Sequence, residues 1–216
     1  MDRIKNKKVY IFDLDGTLVD SMSCFAKAIT DFLDSIGAEY PDNIVEIITP
    51  MGYQQGAAYF KEHLGVNLEI NAMADAMQEN AYIEYRDKID LKPGVYEFLK
   101  SAKKQEHSLY VLTASPKRMV EASLKRNGVS ELFSEYFSVD DLDSPKSNPE
   151  IYKTVAGKIG CKLSDIAFFE DNIANINAAN KAGVFTVGVY DTTGEGFKDR
   201  MKAEAKVFIT SFCELN

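Results

Sequence analysis

Short apolar runs alternate along the chain with longer segments in which apolar residues recur every three or four positions. The short runs predict β-strands, at residues 9–12, 109–113, 166–169, 185–189 and 207–209, with "EYFSVDD" (135–141) as a further short candidate. The segments between them predict helices, at residues 95–104, 116–127, 149–159, 174–182 and 196–203. This alternation is typical of βαβ units. It therefore predicts an α/β fold, a doubly wound parallel (Rossmann-like) sheet with helices on both faces.

One long stretch interrupts the alternation. Between residues 21 and 86 the pattern is helical, in "SMSCFAKAITDFLDSIG", "GYQQGAAYFKEHLG" and "NAMADAMQENAYIEYR", with Ser21 as a candidate N-cap. A helical block after the first strand indicates a small all-helical cap domain, residues 20–89, inserted into a core of residues 1–19 and 90–216. The hinges are expected near residues 19–21 and in "DLKPGV" (90–95), which contains a proline and a glycine.

Composition and charge narrow the classes of partner. The chain of 216 residues has a formal net charge of −8, which repels nucleic acid and anionic lipid surfaces. No segment fits a signal peptide or a membrane span. Three scattered cysteines predict reduced thiols in the cytoplasm, and two histidines make a Ser-His-Asp triad or a histidine-rich zinc site a poor hypothesis. We expect a monomer or homodimer that acts on a small molecule.

Polar residues suited to phosphate or magnesium follow the predicted strands. They are Asp13 and Asp15 after the first strand, Thr113, Ala114 and Ser115 after the second, Lys146 ahead of a later helix, and Glu170 and Asp171 after the following strand. Ligands of open α/β sheets bind beyond the carboxyl ends of the strands. We therefore expect these groups to meet at one edge of the sheet.

The residue types indicate phosphoryl transfer, which depends on positioning and on charge neutralisation by magnesium. Asp13, the first residue past the strand, is the candidate nucleophile that would form an aspartyl-phosphate. Asp15 lies on the same side two residues later. It could protonate the leaving oxygen and then deprotonate the hydrolytic water. Asp171, with Glu170 beside it, would complete a Mg²⁺ pocket.

The remaining groups suit a phosphate. Thr113 offers a hydroxyl, the amides around Ala114 and Ser115 open a predicted helix, and Lys146 balances negative charge. Each feature alone is also typical of ordinary structure: a turn, an N-cap with a following proline, or a solvated lysine. Their joint occurrence on successive strand ends favours the functional interpretation.

These residues resemble the motifs of the haloacid dehalogenase superfamily, and within it the helical-cap phosphatases of the phosphoglycolate phosphatase type and the β-phosphoglucomutases. "DLDGTLVDS" resembles the first motif, "VLTAS" the second, "PKSNPEIY" the third and "FFEDNIANINAANKAG" the fourth. The resemblance spans nearly the whole chain.

The resemblance implies a role for each motif residue. It implies Asp13 as nucleophile, Asp15 as general acid/base, and Mg²⁺ bound by Asp13, the Asp15 carbonyl and Asp171, with Glu170 as a second ligand or a support. Thr113 and Ser115 would hold phosphate, and Lys146 would neutralise its charge. The chain departs from the usual motifs at Ser147, Asn172 and Asn175. Because asparagine can cap a helix and tolerates left-handed backbone, we expect the local geometry to survive.

Four functions compete for these motifs. The leading hypothesis is a Mg²⁺-dependent phosphomonoester hydrolase acting on a small phosphorylated metabolite. A β-phosphoglucomutase-like enzyme is the alternative, although Phe25 and Gln54–Gln55 stand where such mutases commonly have a histidine and an arginine. A dehalogenase would leave Asp15 and the Glu170–Asp171 pair without a purpose. A signalling phosphoacceptor would lack both the second acid and the cap.

The loop "TPMGYQQG" (49–56) of the helical block is polar and contains glycine. We expect it to face the substrate through Tyr53, Gln54 and Gln55. An ordinary turn between helices is the alternative interpretation.

Overall fold

A six-stranded β-sheet forms the centre of the larger of two units in the computed structural model, which describes residues 2–48 and 51–216, with Asp2 and Phe25 described by their backbone only. Every neighbouring pair of strands is parallel. In chain order the strands are β1 (Val9–Phe12), β2 (Ser108–Thr113), β3 (Glu135–Ser138), β4 (Ile166–Glu170), β5 (Phe185–Val189) and β6 (Val207–Ile209). Across the sheet their order is β3-β2-β1-β4-β5-β6. The predicted doubly wound parallel sheet is confirmed.

Eleven α-helices are assigned among the described residues. The larger unit contains α1 (Asp2–Lys5), α6 (Val95–Lys104), α7 (Lys117–Arg126), α8 (Val139–Leu142), α9 (Glu150–Ile159), α10 (Ile173–Ala182) and α11 (Lys198–Glu204). The smaller unit contains α2 (Met22–Ser35), α3 (Ile44–Ile48), α4 (Tyr53–His63) and α5 (Ile70–Asp87). None of the helices in the described ranges combines the length and apolar character needed to cross a bilayer.

The central strands β1 and β4 are buried along their whole length. Continuous apolar runs of this kind suit parallel strands whose two faces are both covered by helices. In the register, Phe12 lies between Val111 of β2 and Phe169 of β4, and the rings of Phe12 and Phe169 stack with centroids 4.6 Å apart. This packing fixes the end of β1, and with it the position of Asp13.

Two local features differ from the predictions, and a third agrees in part. The segment 135–141 is a strand only as far as Ser138, whose hydroxyl accepts a hydrogen bond from the Asp140 amide (3.3 Å) and starts α8. The short helix α3 was not predicted. Ser21 occupies the N-cap position of α2, as predicted, but it has helical backbone angles and its side chain makes no cap hydrogen bond.

The regular elements described in the smaller unit, Ser21–Ile89, are all helices, and the unit has its own apolar core. Phe32 of α2 and Phe60 of α4 stack in this core with centroids 6.3 Å apart. The larger unit consists of the chain up to Asp20 and Asp90–Asn216. At the two crossing points the Asp20 amide donates to the Asp90 carbonyl (3.1 Å) and the Lys92 amide to the Leu18 carbonyl (2.9 Å).

Candidate active site

The turn after β1 presents the two aspartates of the first motif. The Asp13 amide donates to the Phe169 carbonyl of β4 (2.9 Å), which continues the strand pairing one residue past β1. Asp13 is buried and Asp15 is partly exposed. Gly16 then takes a left-handed conformation (φ +72°), and its amide donates to the Val19 carbonyl (3.1 Å). The left-handed residue turns the chain away from the sheet edge directly after the second acid.

Lys146 lies between two buried carboxylates. Its Nζ is 2.6 Å from Oδ1 of Asp13 and 2.9 Å from Oε2 of Glu170. The Lys146 and Asp13 side chains are 8% exposed and that of Glu170 is 0% exposed. Because so little water reaches these charges, each depends on the others for compensation. The ends of β1 and β4 and the loop before α9 therefore meet in one ionic cluster.

Tyr152 of α9 anchors the loop that carries Lys146. Its hydroxyl is 2.8 Å from the Lys146 carbonyl and 3.0 Å from the Asn175 carbonyl, and it donates to these acceptors. The tyrosine is buried, so its hydroxyl needs such a partner. It thereby ties the lysine loop to the first turn of α10.

The two departures in the fourth motif contribute contacts of their own. The side chain of Asn172 caps α10 by accepting from the Ala174 amide (2.9 Å). Its own amide donates to Oε1 of Glu170 (3.0 Å). Asn175 donates from Nδ2 to Oε2 of Glu170 (3.1 Å). The expected capping by asparagine is confirmed for Asn172, and Glu170 is held through both of its oxygens.

Asp171 completes an acidic group that could hold a metal ion. Ligand oxygens of Asp13, Glu170 and Asp171 all lie within 4.8 Å of one another. The hydroxyl of Thr17 donates to Oδ1 of Asp171 (3.0 Å) and orients that carboxylate. Hard oxygen donors at this spacing fit Mg²⁺ or another hard divalent cation.

The electrostatics of the cluster favour a bound cation. Burial, followed by the charge of Glu170, raises the pKa of Asp13 well above its usual range. Burial also raises the pKa of Glu170, and it raises that of Asp171 to about 7. Burial alone would lower the pKa of Lys146, but the neighbouring carboxylates outweigh burial and raise it. One lysine therefore compensates three crowded acids only in part, and a divalent cation would supply the missing charge.

The segment after β2 contacts Asp15, the second acid of the first motif. Ser115 donates from Oγ to Oδ2 of Asp15 (2.5 Å), and its amide donates to Oγ1 of Thr113 (3.0 Å). Thr113 is buried, and Ala114 is exposed. Because α7 begins only at Lys117, the amides of Ala114 and Ser115 precede the helix rather than open it, and that of Ser115 already has an acceptor.

The candidate substrate residues lie in the helical unit. Tyr53, Gln54 and Gln55 are the first three residues of α4; both glutamines are exposed and Tyr53 is partly exposed. Of the predicted loop 49–56, Thr49 and Pro50 lie outside the described residues.

Five supporting residues were given no role from the sequence: Thr17, Lys92, Tyr152, Asn175 and Asp191. Thr17 and Tyr152 stand inside quoted motifs, so their position in the motif was an available signal. Asp191 follows β5 closely, and an acid beyond a fifth strand could have been found by the same rule as the others. Asn175 also stands inside a quoted motif, where it was noted only as a departure from the usual pattern, and Lys92 carried no signal in a single sequence.

We expect Gly16→Ala to damage the acidic group more than its backbone strain explains. A Cβ at Gly16 would lie 2.5 Å from Oδ2 of Asp171, so that carboxylate must move. The matched control is Gly160→Ala, where φ is +78° but a Cβ meets nothing within 4 Å. Both variants should lose about 1–2 kcal/mol of stability. Mg²⁺ affinity, measured by calorimetry, should fall by about tenfold or more in Gly16→Ala and stay unchanged in Gly160→Ala. Equal Mg²⁺ affinity in the two variants would contradict this arrangement.

The sequence and the fold of this chain are similar to those of known proteins. The family model described as haloacid dehalogenase-like hydrolase matches residues 10–189. A phosphorylated carbohydrates phosphatase of Thermotoga maritima is 25% identical over 187 residues, covering 86% of this chain and 87% of the relative. A phosphoglycolate phosphatase of Pseudomonas savastanoi pv. phaseolicola is 28% identical over 192 residues, covering 86% and 70%. The crystal structure of CbbY from Rhodobacter sphaeroides in complex with phosphate shares the fold, with a TM-score of 0.79, 23% identity and coverage of 97% and 96%.

Proposed function

Because the chain belongs to the haloacid dehalogenase-like hydrolase family and is a phosphatase of that family, we propose that it hydrolyses monoesters of small phosphorylated metabolites through an aspartyl-phosphate on Asp13, with Mg²⁺ as cofactor. One observation carries the proposal. The buried cluster of Asp13, Lys146 and Glu170 lies beside Asp171. The turn after β1 also carries Asp15, which accepts a hydrogen bond from Ser115. A nucleophile, a second acid, a cation and a metal pocket thus surround one strand end.

In the first proposed step, a carboxylate oxygen of Asp13 attacks phosphorus. The bond between phosphorus and the ester oxygen breaks, and Asp15 gives its proton to the departing alkoxide. The hydrogen bond from Ser115 supports this role because it fixes the direction of the Asp15 carboxyl group. The phosphoryl group then resides on Asp13 as an acyl phosphate.

In the second step, a water molecule attacks the same phosphorus atom. Asp15, now deprotonated, takes a proton from the water as the bond between phosphorus and Asp13 breaks. Inorganic phosphate leaves, and both aspartates return to their starting states. Lys146 remains paired with Asp13 and Glu170, where its positive charge opposes the charge that accumulates on the phosphoryl oxygens.

Asp13 and Asp171 would hold the cation, together with the backbone carbonyl of Asp15, as the motif resemblance implies. Glu170 is engaged by Lys146, Asn172 and Asn175, so it supports the pocket either as a further ligand or by orienting its neighbours. When bound, Mg²⁺ would neutralise part of the negative charge shared by the carboxylates and the phosphate.

The proposal assigns substrate choice to the helical unit. Loops that cover an active site can exclude water and select among substrates. We assign this role to the cap residues Tyr53, Gln54 and Gln55 because they are polar and begin a helix next to a glycine.

A phosphate-release screen tests the proposed function. Sugar phosphates, phosphoglycolate, nucleotides and pyrophosphate are each incubated with the protein and Mg²⁺, and then again with excess chelator. We expect release of inorganic phosphate from at least one small monoester, and loss of that release with chelator. Conversion of β-glucose 1-phosphate to the 6-phosphate that strongly outpaces phosphate release would identify a mutase instead. A long-lived phosphoprotein after treatment with acetyl phosphate would identify a phosphoacceptor.

A further inference from the structure

Lys92 is a largely buried lysine outside the Asp13 cluster whose ammonium group is fully hydrogen-bonded. Its Nζ lies 2.7 Å from the Gly16 carbonyl, 2.7 Å from the Tyr190 carbonyl and 2.9 Å from Oδ2 of Asp191. The Lys92 side chain is 14% exposed and that of Asp191 is 4% exposed. An ammonium group has three hydrogens to donate, and here three acceptors take them. Lys92 is therefore not a ligand for the substrate phosphate.

The Gly16 carbonyl connects Lys92 to the acidic pocket. A trans peptide is planar, so a hydrogen bond to the Gly16 carbonyl also fixes the orientation of Thr17, the next residue. Thr17 in turn donates to Oδ1 of Asp171 (3.0 Å). Gly16 itself packs so closely against Asp171 that even a Cβ would lie 2.5 Å from Oδ2. Two contacts thus transmit the position of this peptide to one candidate metal ligand.

The far end of the Lys92 contact is also rigid. Oδ1 of Asp191 accepts from the Thr193 amide (2.9 Å) and the Thr193 hydroxyl (2.7 Å). The Lys92 backbone amide is bonded to the Leu18 carbonyl (2.9 Å). The lysine therefore connects the segment after β5 to the turn after β1. Both the Asp191 carboxylate and the Lys92 backbone are held by hydrogen bonds of their own.

We propose that Lys92 is a positioning residue for the metal pocket, which acts through the Gly16–Thr17 peptide to hold Asp171 in the orientation that binds the cation. This proposal rests on the proposed function, because it concerns the same Mg²⁺ site. It differs from a purely structural role in one respect. A structural lysine would change stability alone, whereas a positioning lysine changes metal affinity at constant fold.

The test measures metal binding directly, without substrate. Mg²⁺ titration calorimetry and Mn²⁺ electron paramagnetic resonance are applied to the full chain and to Lys92→Met, Lys92→Arg and Lys103→Met, the last an exposed lysine of α6. We expect Lys92→Met to bind both ions about tenfold more weakly, Lys92→Arg to recover part of the loss, and Lys103→Met to match the unchanged protein. Unchanged affinity in a folded Lys92→Met variant would overturn the proposal and leave the proposed function intact. Failure of the unchanged protein to bind either ion would instead overturn the metal part of the proposed function, and this proposal with it.

A double-mutant cycle tests the route through Thr17. If Lys92 acts through that residue, then Thr17→Val and Lys92→Met should each weaken metal binding, and the double variant should lose little more than the worse single variant. Additive losses would overturn the route. Should Lys92→Met not fold, Asp191→Asn takes its place, because it removes the charge of one partner of the ammonium group and leaves the lysine in the chain. In that variant we expect a smaller loss of metal affinity in the same direction, and no loss would overturn the proposal.

Discussion

Asp13→Asn is expected to lose more than about a thousandfold in turnover while the fold survives, because the amide cannot form the acyl phosphate. Asparagine has nearly the same shape as aspartate, and Lys146 keeps its contact with Glu170 (2.9 Å). Removing a carboxylate that is costly to bury should leave stability nearly unchanged or slightly higher. Phosphate release and urea unfolding are measured on the same preparations.

The matched control for this variant is Asp20→Asn, the same chemical change at an exposed position on the same segment. It should retain full turnover. Full turnover in a folded Asp13→Asn variant would refute the assignment of Asp13 as nucleophile, whatever the substrate proves to be.

Asp15→Asn separates the two proposed steps. With an alkyl phosphate both steps need Asp15, and turnover should fall by about a hundred- to ten-thousandfold. With p-nitrophenyl phosphate the leaving group needs no proton, so only the hydrolysis step should suffer. Acid quench should then trap more phosphoenzyme in Asp15→Asn than in the unchanged protein and none in Asp13→Asn. Equal slowing with both kinds of substrate and no trapped phosphoenzyme would contradict the role of Asp15.

Lys146→Met is expected to have the largest effect on stability. The substitution removes the cation that lies 2.6 Å from Asp13 and 2.9 Å from Glu170 and leaves two buried acids side by side. Breaking a buried ion pair by removing one partner costs about 3–5 kcal/mol. Turnover should fall as well, because no other cation in the described cluster opposes the charge of the phosphate. Urea unfolding with chelator present measures the stability loss.

The loss in Lys146→Met should depend on pH in a defined direction. The pKa values of Asp13 and Glu170 are already raised in the folded protein, and removal of Lys146 raises them further. An acid whose folded pKa exceeds its unfolded value does not destabilise the fold below the unfolded pKa. Its destabilising effect grows as pH rises from the unfolded pKa to the folded pKa and is constant above that. The free energy of unfolding of the variant should therefore be closest to that of the unchanged protein near pH 4, and the difference should grow toward pH 8. Lys153→Met, which removes an exposed lysine of α9, should show no such trend. A loss in Lys146→Met that is constant across this range would contradict the buried cluster.

The sheet and the four polar strand ends could be predicted from a single sequence because each rests on a local pattern. An apolar run followed directly by acids identifies β1 and β4 without knowledge of any contact. Their meeting point also follows from the sequence, since parallel strands share one carboxyl edge. The predicted bounds of β1, β5, β6 and α6 agree with the structure.

The contacts that hold the site residues in place could not be predicted from the sequence. The bond from Asn175 to Glu170 depends on the side-chain direction at the start of α10, and a lone asparagine carries no sign of it. Lys92 contacts residues that are far away in sequence, at Gly16 and Asp191. Such partners are decided by tertiary packing, which local propensity does not encode. Prediction also failed over a short distance in sequence. The residues around Ser138 favour a strand, but the strand ends at Ser138 because its side chain caps the next helix.

The place where the helical unit enters the chain also has a consequence for folding. β1 pairs with β2 across about a hundred intervening residues, and closing so long a loop is entropically costly and slow. The helical unit has its own core, and the bond between the Asp20 amide and the Asp90 carbonyl (3.1 Å) brings its entrance and exit together. If the helices form first, they shorten the effective loop to residues 13–20 on one side and residues 90–107, which include α6, on the other. The insertion would then bring β2 close to β1 during synthesis, before any substrate is present.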